Sequence, residues 1–230
     1  MPNMRIGSST LAAARSWCFA DVRNSRNKPD PAEPRVIPTE LLVSAYASGW
    51  FPMAVDGDEI RWFSPDPRGV IPLGTFHVPK RLARAVRKGT FRIEFNRAFE
   101  KVMRACAGAD RDPLDPGTWI NEEIIRSYCA LNERGIAHSV EAWRADRLVG
   151  GLYGVALGGA FFGESMFHDE TDASKIALVA LVERLRHRGY VLLDTQWVTD
   201  HLLQFGAIEI PRWRYLQLLD EALRRDCSFV

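Results

Sequence analysis

Ala160-Phe161-Phe162-Gly163-Glu164-Ser165-Met166-Phe167 and, one helix-length later, Leu192-Leu193-Asp194-Thr195-Gln196 decide how this chain folds. Both are apolar runs of strand length. Between them Ile176, Ala177, Val179, Ala180, Val182 and Leu185 line the wide apolar face of a helix that begins at Asp172 or Ser174 and stops at Gly189. Strand, helix and strand in that order make a β-α-β unit, whose strands lie parallel and adjacent through a right-handed crossover. Upstream, residues 148–157 run apolar and glycine-rich and residues 139–143 alternate, with Gly158-Gly159 and Ala145-Asp146 as turns. That is a three-stranded antiparallel meander. Downstream come a short helix over 199–204, a strand over 207–210 and a helix over 212–225. The order β-β-β-α-β-α-β-α predicts an α+β fold, a mixed sheet flanked by helices.

Ahead of the meander, residues 39–48 predict a short helix capped by Thr39 and closed by Gly49, with Leu41, Leu42, Ala45 and Tyr46 on its apolar face. Residues 50–54 and 61–69 read as aromatic, proline-punctuated loops. Residues 33–70 are therefore expected to form a small loop-rich N-terminal domain, and 71–230 the larger one. Residues 80–88 read as a basic helix, Asn96 caps a second helix, and Asn121 caps a third with Glu122 and Glu123 in its first turn. The acidic, proline-rich stretch 110–117 is a loop. Residues 1–32 are polar, basic and interrupted by Arg15, which predicts a disordered extension or an over-called start and no signal-type apolar run.

Composition narrows the class. Hydrophobic residues make up 47% and charged residues 26%, an ordinary globular balance, and a net charge of +1 gives no global field for nucleic acid. Any such partner has to meet a local patch. The four cysteines, Cys18, Cys106, Cys129 and Cys227, show neither C-x-x-C spacing nor a Cys/His cluster. Zinc and a disulfide framework are not expected, and no stretch is long enough to span a membrane. The expectation is a cytoplasmic protein with no metal and no membrane partner.

The polar groups inside the two deciding strands point to a site, because a buried carboxylate or amide costs roughly several kcal/mol unless it is partnered. Asp194 and Gln196 are two residues apart and share a strand face, and Glu164 meets them if the strands are neighbours. Two readings stand at this point: a relay in which the carboxylate fixes the amide, and a satisfied polar network tying strands to helix ends. His138, His168, His187 and His201 are scattered, and Ser165 is outside any G-x-S-x-G turn. Trp62, Trp119 and Tyr153 suit either an apolar pocket or the core, and Gly150, Gly151 and Gly154 permit close approach beside Tyr153. Lys80, Arg84, Arg87 and Lys88 share one side of their helix, which is either a solvated face or a phosphate-backbone contact. In an acyl-CoA acetyltransferase the turn before the crossover helix is glycine-rich and cradles a pyrophosphate. Here it holds Asp169, Glu170 and Asp172 and no glycine, so the architecture fits that class but the cofactor loop does not, and no cofactor is expected.

Several segments together resemble the leucyl/phenylalanyl-tRNA–protein transferases. They are Tyr46-Ala47-Ser48-Gly49-Trp50-Phe51-Pro52, Trp62-Phe63-Ser64-Pro65-Asp66-Pro67-Arg68-Gly69, Thr118-Trp119-Ile120, His138-Ser139-Val140-Glu141, Gly150-Gly151-Leu152-Tyr153-Gly154-Val155, Gly163-Glu164-Ser165-Met166-Phe167, Ala173-Ser174-Lys175 and Asp194-Thr195-Gln196. The match runs in order from about residue 37 to 220 and leaves the first 32 residues outside.

The resemblance implies a cytosolic bacterial enzyme that moves leucine or phenylalanine from aminoacyl-tRNA to a protein with N-terminal Arg or Lys, marking it for degradation. It implies a small N-terminal domain and an acetyltransferase-like (GNAT-type) C-terminal domain without the pyrophosphate loop. Asp194 and Gln196 match the family's catalytic pair and Glu164 a site carboxylate. Trp119 and Phe161 match the lining of the donor side-chain pocket, to which Tyr153, Met53 and Trp62 are added. Met53 is a departure, a flexible thioether where the family often has Trp, and the upstream Gly-Gly-Asp-Leu stretch of many members is missing. The residues themselves leave two alternatives: an acyl-CoA-dependent N-acyltransferase, and a non-enzymatic tRNA-binding module using the 80–88 helix.

Overall fold

The computed structural model describes residues 35–55, 59–109 and 118–230; the expectations for 1–32 and for the 110–117 loop lie outside them. Helix α1, Thr39–Ala47, comes first. Thr39 is its first helical residue and not its cap, because Pro38 precedes it and already sets the entry angle. Gly49, at φ 79°, closes it as expected.

The two aromatic runs expected to be loops are strands. β1, Phe51–Val55, and β2, Glu59–Phe63, form an antiparallel pair with Phe51 opposite Phe63. In a two-stranded sheet each strand is an edge, so Pro52 can point its missing donor away from the ladder. β3, Arg68–Ile71, then leaves this region and joins the main sheet.

Helix α2, Lys80–Arg87, ends at Gly89 as expected. It is followed by β4, Arg92–Phe95, a strand the sequence reading lacked. Asn96 is not a helix cap. It sits at φ 58° and its Oδ1 accepts the Ser139 N–H at 2.9 Å, so it turns the chain off the sheet before α3, Phe99–Ala107. Asn121 does cap α4, Glu122–Glu133, accepting the Ile124 N–H at 3.0 Å.

The meander follows as β5, Ala137–Arg144, β6, Arg147–Leu157, and β7, Ala160–His168. Helix α5, Ala173–His187, leads to β8, Leu192–Gln196, and then to α6, Asp200–Leu203, β9, Ile208–Ile210, and α7, Arg212–Leu223.

The main sheet has the order β4-β5-β6-β7-β8-β3-β9. The described pairs are antiparallel except β7–β8, which is the expected parallel pair. The fold is therefore α+β, with a mixed sheet between two apolar layers. On one face Leu152, Phe161 and Leu193 pack with α5; on the other Tyr153, Phe162 and Leu192 pack with α1, α3, α4 and α7. Insertion of β3 between β8 and β9 draws the N-terminal segment into the centre of the sheet. It demands a glycine, since a Cβ on Gly69 would stand 2.6 Å from the Trp197 carbonyl carbon. Among the described residues no helix is long and apolar enough to cross a membrane.

Candidate active site

β7 and β8 pair from Ala160 and Leu192 as far as Phe162 and Asp194, and then part. Beyond that level β7 follows β6 and β8 follows β3, and each of these pairings carries a bulge. Tyr153 faces Ser165 while Gly154 faces Gly163, so Glu164 is the extra residue on β7. Gly69 faces Gln196 while Val70 faces Asp194, so Thr195 is the extra residue on β8. A bulge gives up a ladder position and re-aims a side chain, and here two of them flank the gap between the parting strands. Gln196 itself sits at φ 58°, a left-handed conformation that a non-glycine residue keeps only where its surroundings impose it.

Asp194 does the imposing. Its Oδ1 accepts the main-chain N–H of Gln196 at 2.9 Å and the Arg68 Nε–H at 2.9 Å. Its Oδ2 accepts from Arg68 Nη2 at 2.6 Å and from the Tyr215 hydroxyl at 2.8 Å. Arg68 and Asp194 are both 0% exposed, so this is a fully buried bidentate pair, the strong geometry for guanidinium and carboxylate. Arg68 also donates to the Gly49 carbonyl at 3.0 Å, and its guanidinium carbon lies 4.4 Å from the Tyr215 ring centre and 5.0 Å from that of Phe51. Desolvation works against the guanidinium charge, but the charge and hydrogen bonds of Asp194 outweigh it and hold Arg68 above its ordinary pKa. Burial pushes the Tyr215 hydroxyl well up, which keeps it a neutral donor.

Glu164 is half-buried across the gap. Its Oε1 accepts from the Tyr46 hydroxyl at 2.7 Å and from Gln196 Nε2 at 3.4 Å, and its Oε2 lies 3.5 Å from the Tyr128 hydroxyl. The two tyrosine hydroxyls touch each other. Desolvation pushes the Glu164 carboxyl up to about 8, with the Asp194 charge acting in the same direction and the Tyr46 hydrogen bond opposing. Tyr46 and Tyr128 are also pushed well up by burial. The result is a carboxyl that gains or loses a proton near neutrality, framed by two neutral hydroxyl donors and one amide.

Residues 70–220 match the family model described as leucyl/phenylalanyl-tRNA protein transferase, and residues 36–66 match the model of its N-terminal domain. The chain belongs to the leucyl/phenylalanyl-tRNA–protein transferase family. It is 57% identical over 197 residues to the leucyl/phenylalanyl-tRNA–protein transferase of Paramagnetospirillum magneticum, covering 85% of this chain and 93% of that protein. The transferase of Gloeobacter violaceus is 55% identical over 191 residues, 83% of this chain and 96% of its own. That of Rhodopseudomonas palustris is 54% identical over 195 residues, 84% and 86% respectively.

Within this transferase-family chain, Glu164, Asp194 and Gln196 do come together, but not with the partners expected. Asp194 does not hold the Gln196 side chain; it holds the main chain, and the amide turns to Glu164. Tyr153 is buried on the Glu164 side of the sheet, its ring 5.8 Å from that of Tyr128. Trp119 is half-buried against the same layer, and its carbonyl accepts the Ala54 N–H at 3.1 Å. Met53 stands opposite Arg61 and Trp62 opposite Pro52, so hairpin alternation puts the two on different faces of the N-terminal sheet. Phe161 is on the other face of the main sheet, 5.4 Å from the Phe229 ring. Lys80, Arg84, Arg87 and Lys88 are exposed on α2, which rests on α5. Among the described residues no group of three or more His, Cys, Asp and Glu is placed to hold a metal ion.

Four site residues escaped the sequence reading: Arg68, Tyr215, Tyr46 and Tyr128. Arg68 and Tyr46 fall inside segments that carry the resemblance, which was a signal without a role attached. Tyr128 and Tyr215 stand at buried positions of α4 and α7, and nothing local says that their hydroxyls converge on carboxylates.

Proposed function

We propose that this protein transfers leucine or phenylalanine from aminoacyl-tRNA to the α-amine of a protein that begins with Arg or Lys. The observation that carries this reading is a half-buried carboxyl pushed up to about 8 beside an amide, at a break between two parallel strands. An α-amine has a pKa of about 8, so a proton passes from the incoming ammonium to the Glu164 carboxylate with little free-energy change. The freed amine attacks the ester carbonyl, a C–N bond forms, and the ester C–O bond to the tRNA ribose breaks. As the C–N bond forms the nitrogen sheds a second proton, with which the ribose oxygen leaves, and the proton first taken by Glu164 passes to solvent, so that one proton is released for each amide formed. Gln196 orients the amine, and Asp194 keeps Gln196 in its left-handed conformation. The ester is already activated, so positioning supplies much of the acceleration.

Trp119, Tyr153, Met53, Trp62 and Phe161 are proposed to contact the substrates, with Phe161 on the donor's apolar side. Residues 33–70 are proposed as the small domain that brings Tyr46 and Arg68 to this site, in the cytoplasm. The deciding experiment mixes leucyl-tRNA with a peptide bearing N-terminal Arg and weighs the product; a peptide longer by one leucine is expected. No product with either a leucyl or a phenylalanyl donor overturns the reading, and product from acetyl-CoA instead points to the acyl-CoA alternative.

The exposed face of α2 is proposed to lie along the tRNA backbone. Replacing Lys80, Arg84, Arg87 and Lys88 together by Ala should weaken tRNA binding and lower the slope of log affinity against log salt by about 3, at roughly 0.7–0.9 per phosphate contact. An unchanged slope removes α2 from the interface. Gln196→Ala should cut transfer by about 10²-fold, the scale of a misplaced reactant, and leave tRNA binding as it was; full activity would strip Gln196 of its role.

A further inference from the structure

The chain that carries Gln196 surfaces one residue later. Exposure climbs from 0% at Asp194 and 5% at Gln196 to 44% at Trp197, so an indole stands where β8 opens to solvent. Its main chain is fixed. The Trp197 N–H donates to the Thr195 carbonyl at 2.7 Å, and its carbonyl carbon lies over Gly69, where a Cβ would come within 2.6 Å. Its ring is placed by Phe51, edge to face with 5.3 Å between centres. Phe51 in turn lies 5.0 Å from the guanidinium carbon of Arg68, the partner of Asp194. The indole is therefore held on the Arg68 side of β8, at the mouth of the gap. Elsewhere in the fold guanidinium groups lie over the rings of Phe51, Tyr215, Trp143, Phe91 and Phe95. Among the described residues none lies over Trp197.

The chemistry of the acceptor says what this ring meets. This step rests on the proposed transfer reaction. There the acceptor's α-amine lies at Gln196 and Glu164, and its first side chain leaves the same Cα. An Arg or Lys side chain places its charge several bonds further out, past the step of about 3.8 Å that separates the Cα atoms of Gln196 and Trp197. The two cations share little beyond their charge, one a planar fork and the other a compact point. A carboxylate would favour the fork, which it grips with two hydrogen bonds. An indole face attracts either cation, and more strongly than any other side-chain ring. We infer that Trp197 reads the acceptor: the cation of an N-terminal Arg or Lys rests on the exposed indole while its α-amine is at Gln196. Trp197 is thus a specificity residue for the acceptor, and no proton or covalent bond changes hands at it. Because the ring is open to solvent, a neutral side chain of the same shape loses the attraction and meets no clash, so the discrimination falls on KM.

The test offers leucyl-tRNA with three peptides that differ only in their first residue: Arg, Lys, or citrulline, the neutral isostere of Arg. The enzymes are the wild type, Trp197→Phe and Trp197→Leu. The wild type should prefer Arg and Lys to citrulline. Trp197→Leu should lose about 2–5-fold in kcat/KM on Arg and Lys, the scale of an exposed cation–π pair, through the KM for the peptide. It should change little on citrulline and leave the KM for leucyl-tRNA unmoved, which also shows that the variant is folded. Trp197→Phe keeps a ring and should fall between. Equal losses on the three peptides deny the ring the cation, and a raised KM for leucyl-tRNA in that case gives it to the terminal base of the tRNA. No loss on any peptide, or wild-type indifference between Arg and citrulline, gives it no role. Each of these overturns the inference while leucine transfer by the wild type stands. Failure of the wild type to extend the Arg peptide overturns the underlying function, and the inference with it.

Discussion

Glu164→Gln is expected to slow leucine transfer to an Arg-initiated peptide by about 10²–10⁴-fold, the range for losing a positioned proton acceptor. The loss should fall on kcat, with the KM for aminoacyl-tRNA nearly unchanged. Glutamine keeps the size and can still accept from the Tyr46 hydroxyl, which lies 2.7 Å from Oε1, but it cannot take a proton. A variant that transfers at the wild-type rate would reduce Glu164 to a structural group and leave proton removal to solvent.

The same substitution has a signature in stability. The Glu164 carboxyl moves from an ordinary 4.5 to about 8 on folding, chiefly by desolvation. Between those values the folded state holds a proton that the unfolded chain has released, so stability falls as pH rises through this window and levels off above about 8. His138 acts in the opposite sense at lower pH. Burial holds it down at about 4 against an ordinary 6.5, so its contribution rises as pH rises between those values. The window from 6.5 to 8 therefore isolates Glu164 from His138. There the urea midpoint of the wild type should decline while that of Glu164→Gln stays level, so the variant gains on the wild type as pH rises. Parallel curves would mean that Glu164 is already ionised in the folded protein.

The elements from Ala137 onward were legible because each is punctuated. Ala145-Asp146 and Gly158-Gly159 mark the two meander turns, and Gly189 ends α5 at φ 80°. The N-terminal strands were hidden because their signal depends on company. Trp50 to Ala54 and the run around Trp62 are β-formers broken by prolines, and only their pairing with each other turns them into β1 and β2. β3 is four residues long and takes its place from partners over one hundred residues away, β8 and β9. The same asymmetry governs the site. Glu164, Asp194 and Gln196 stood out as polar groups in apolar runs. Their partners Tyr46, Tyr128 and Tyr215 satisfy a helical apolar pattern as well as phenylalanine would, and a hydroxyl's direction is a tertiary fact. Neither bulge has a local mark, yet together they aim Glu164 and free Thr195 from the ladder.

Arg68→Ala is expected to destabilise the protein by about 3–5 kcal/mol, the cost of leaving a buried carboxylate without its ion-pair partner. The remaining donors to Asp194 would be the Tyr215 hydroxyl and the Gln196 N–H. The Gly49 carbonyl would lose its donor too, and with it a tie between the α1 end and the sheet. A melt within a degree of wild type would show that water or a side chain replaces the guanidinium at no cost. The double variant Arg68→Met with Asp194→Leu separates folding from function. It removes both charges and keeps the volume, so stability should return close to the wild-type value or exceed it. Transfer should not return, because the carboxylate that holds the Gln196 main chain at φ 58° is gone. Recovery of both would mean that Asp194 positions nothing. Recovery of stability alone would mark the pair as an element kept for the geometry of Gln196, at a standing cost that an apolar pair would not carry.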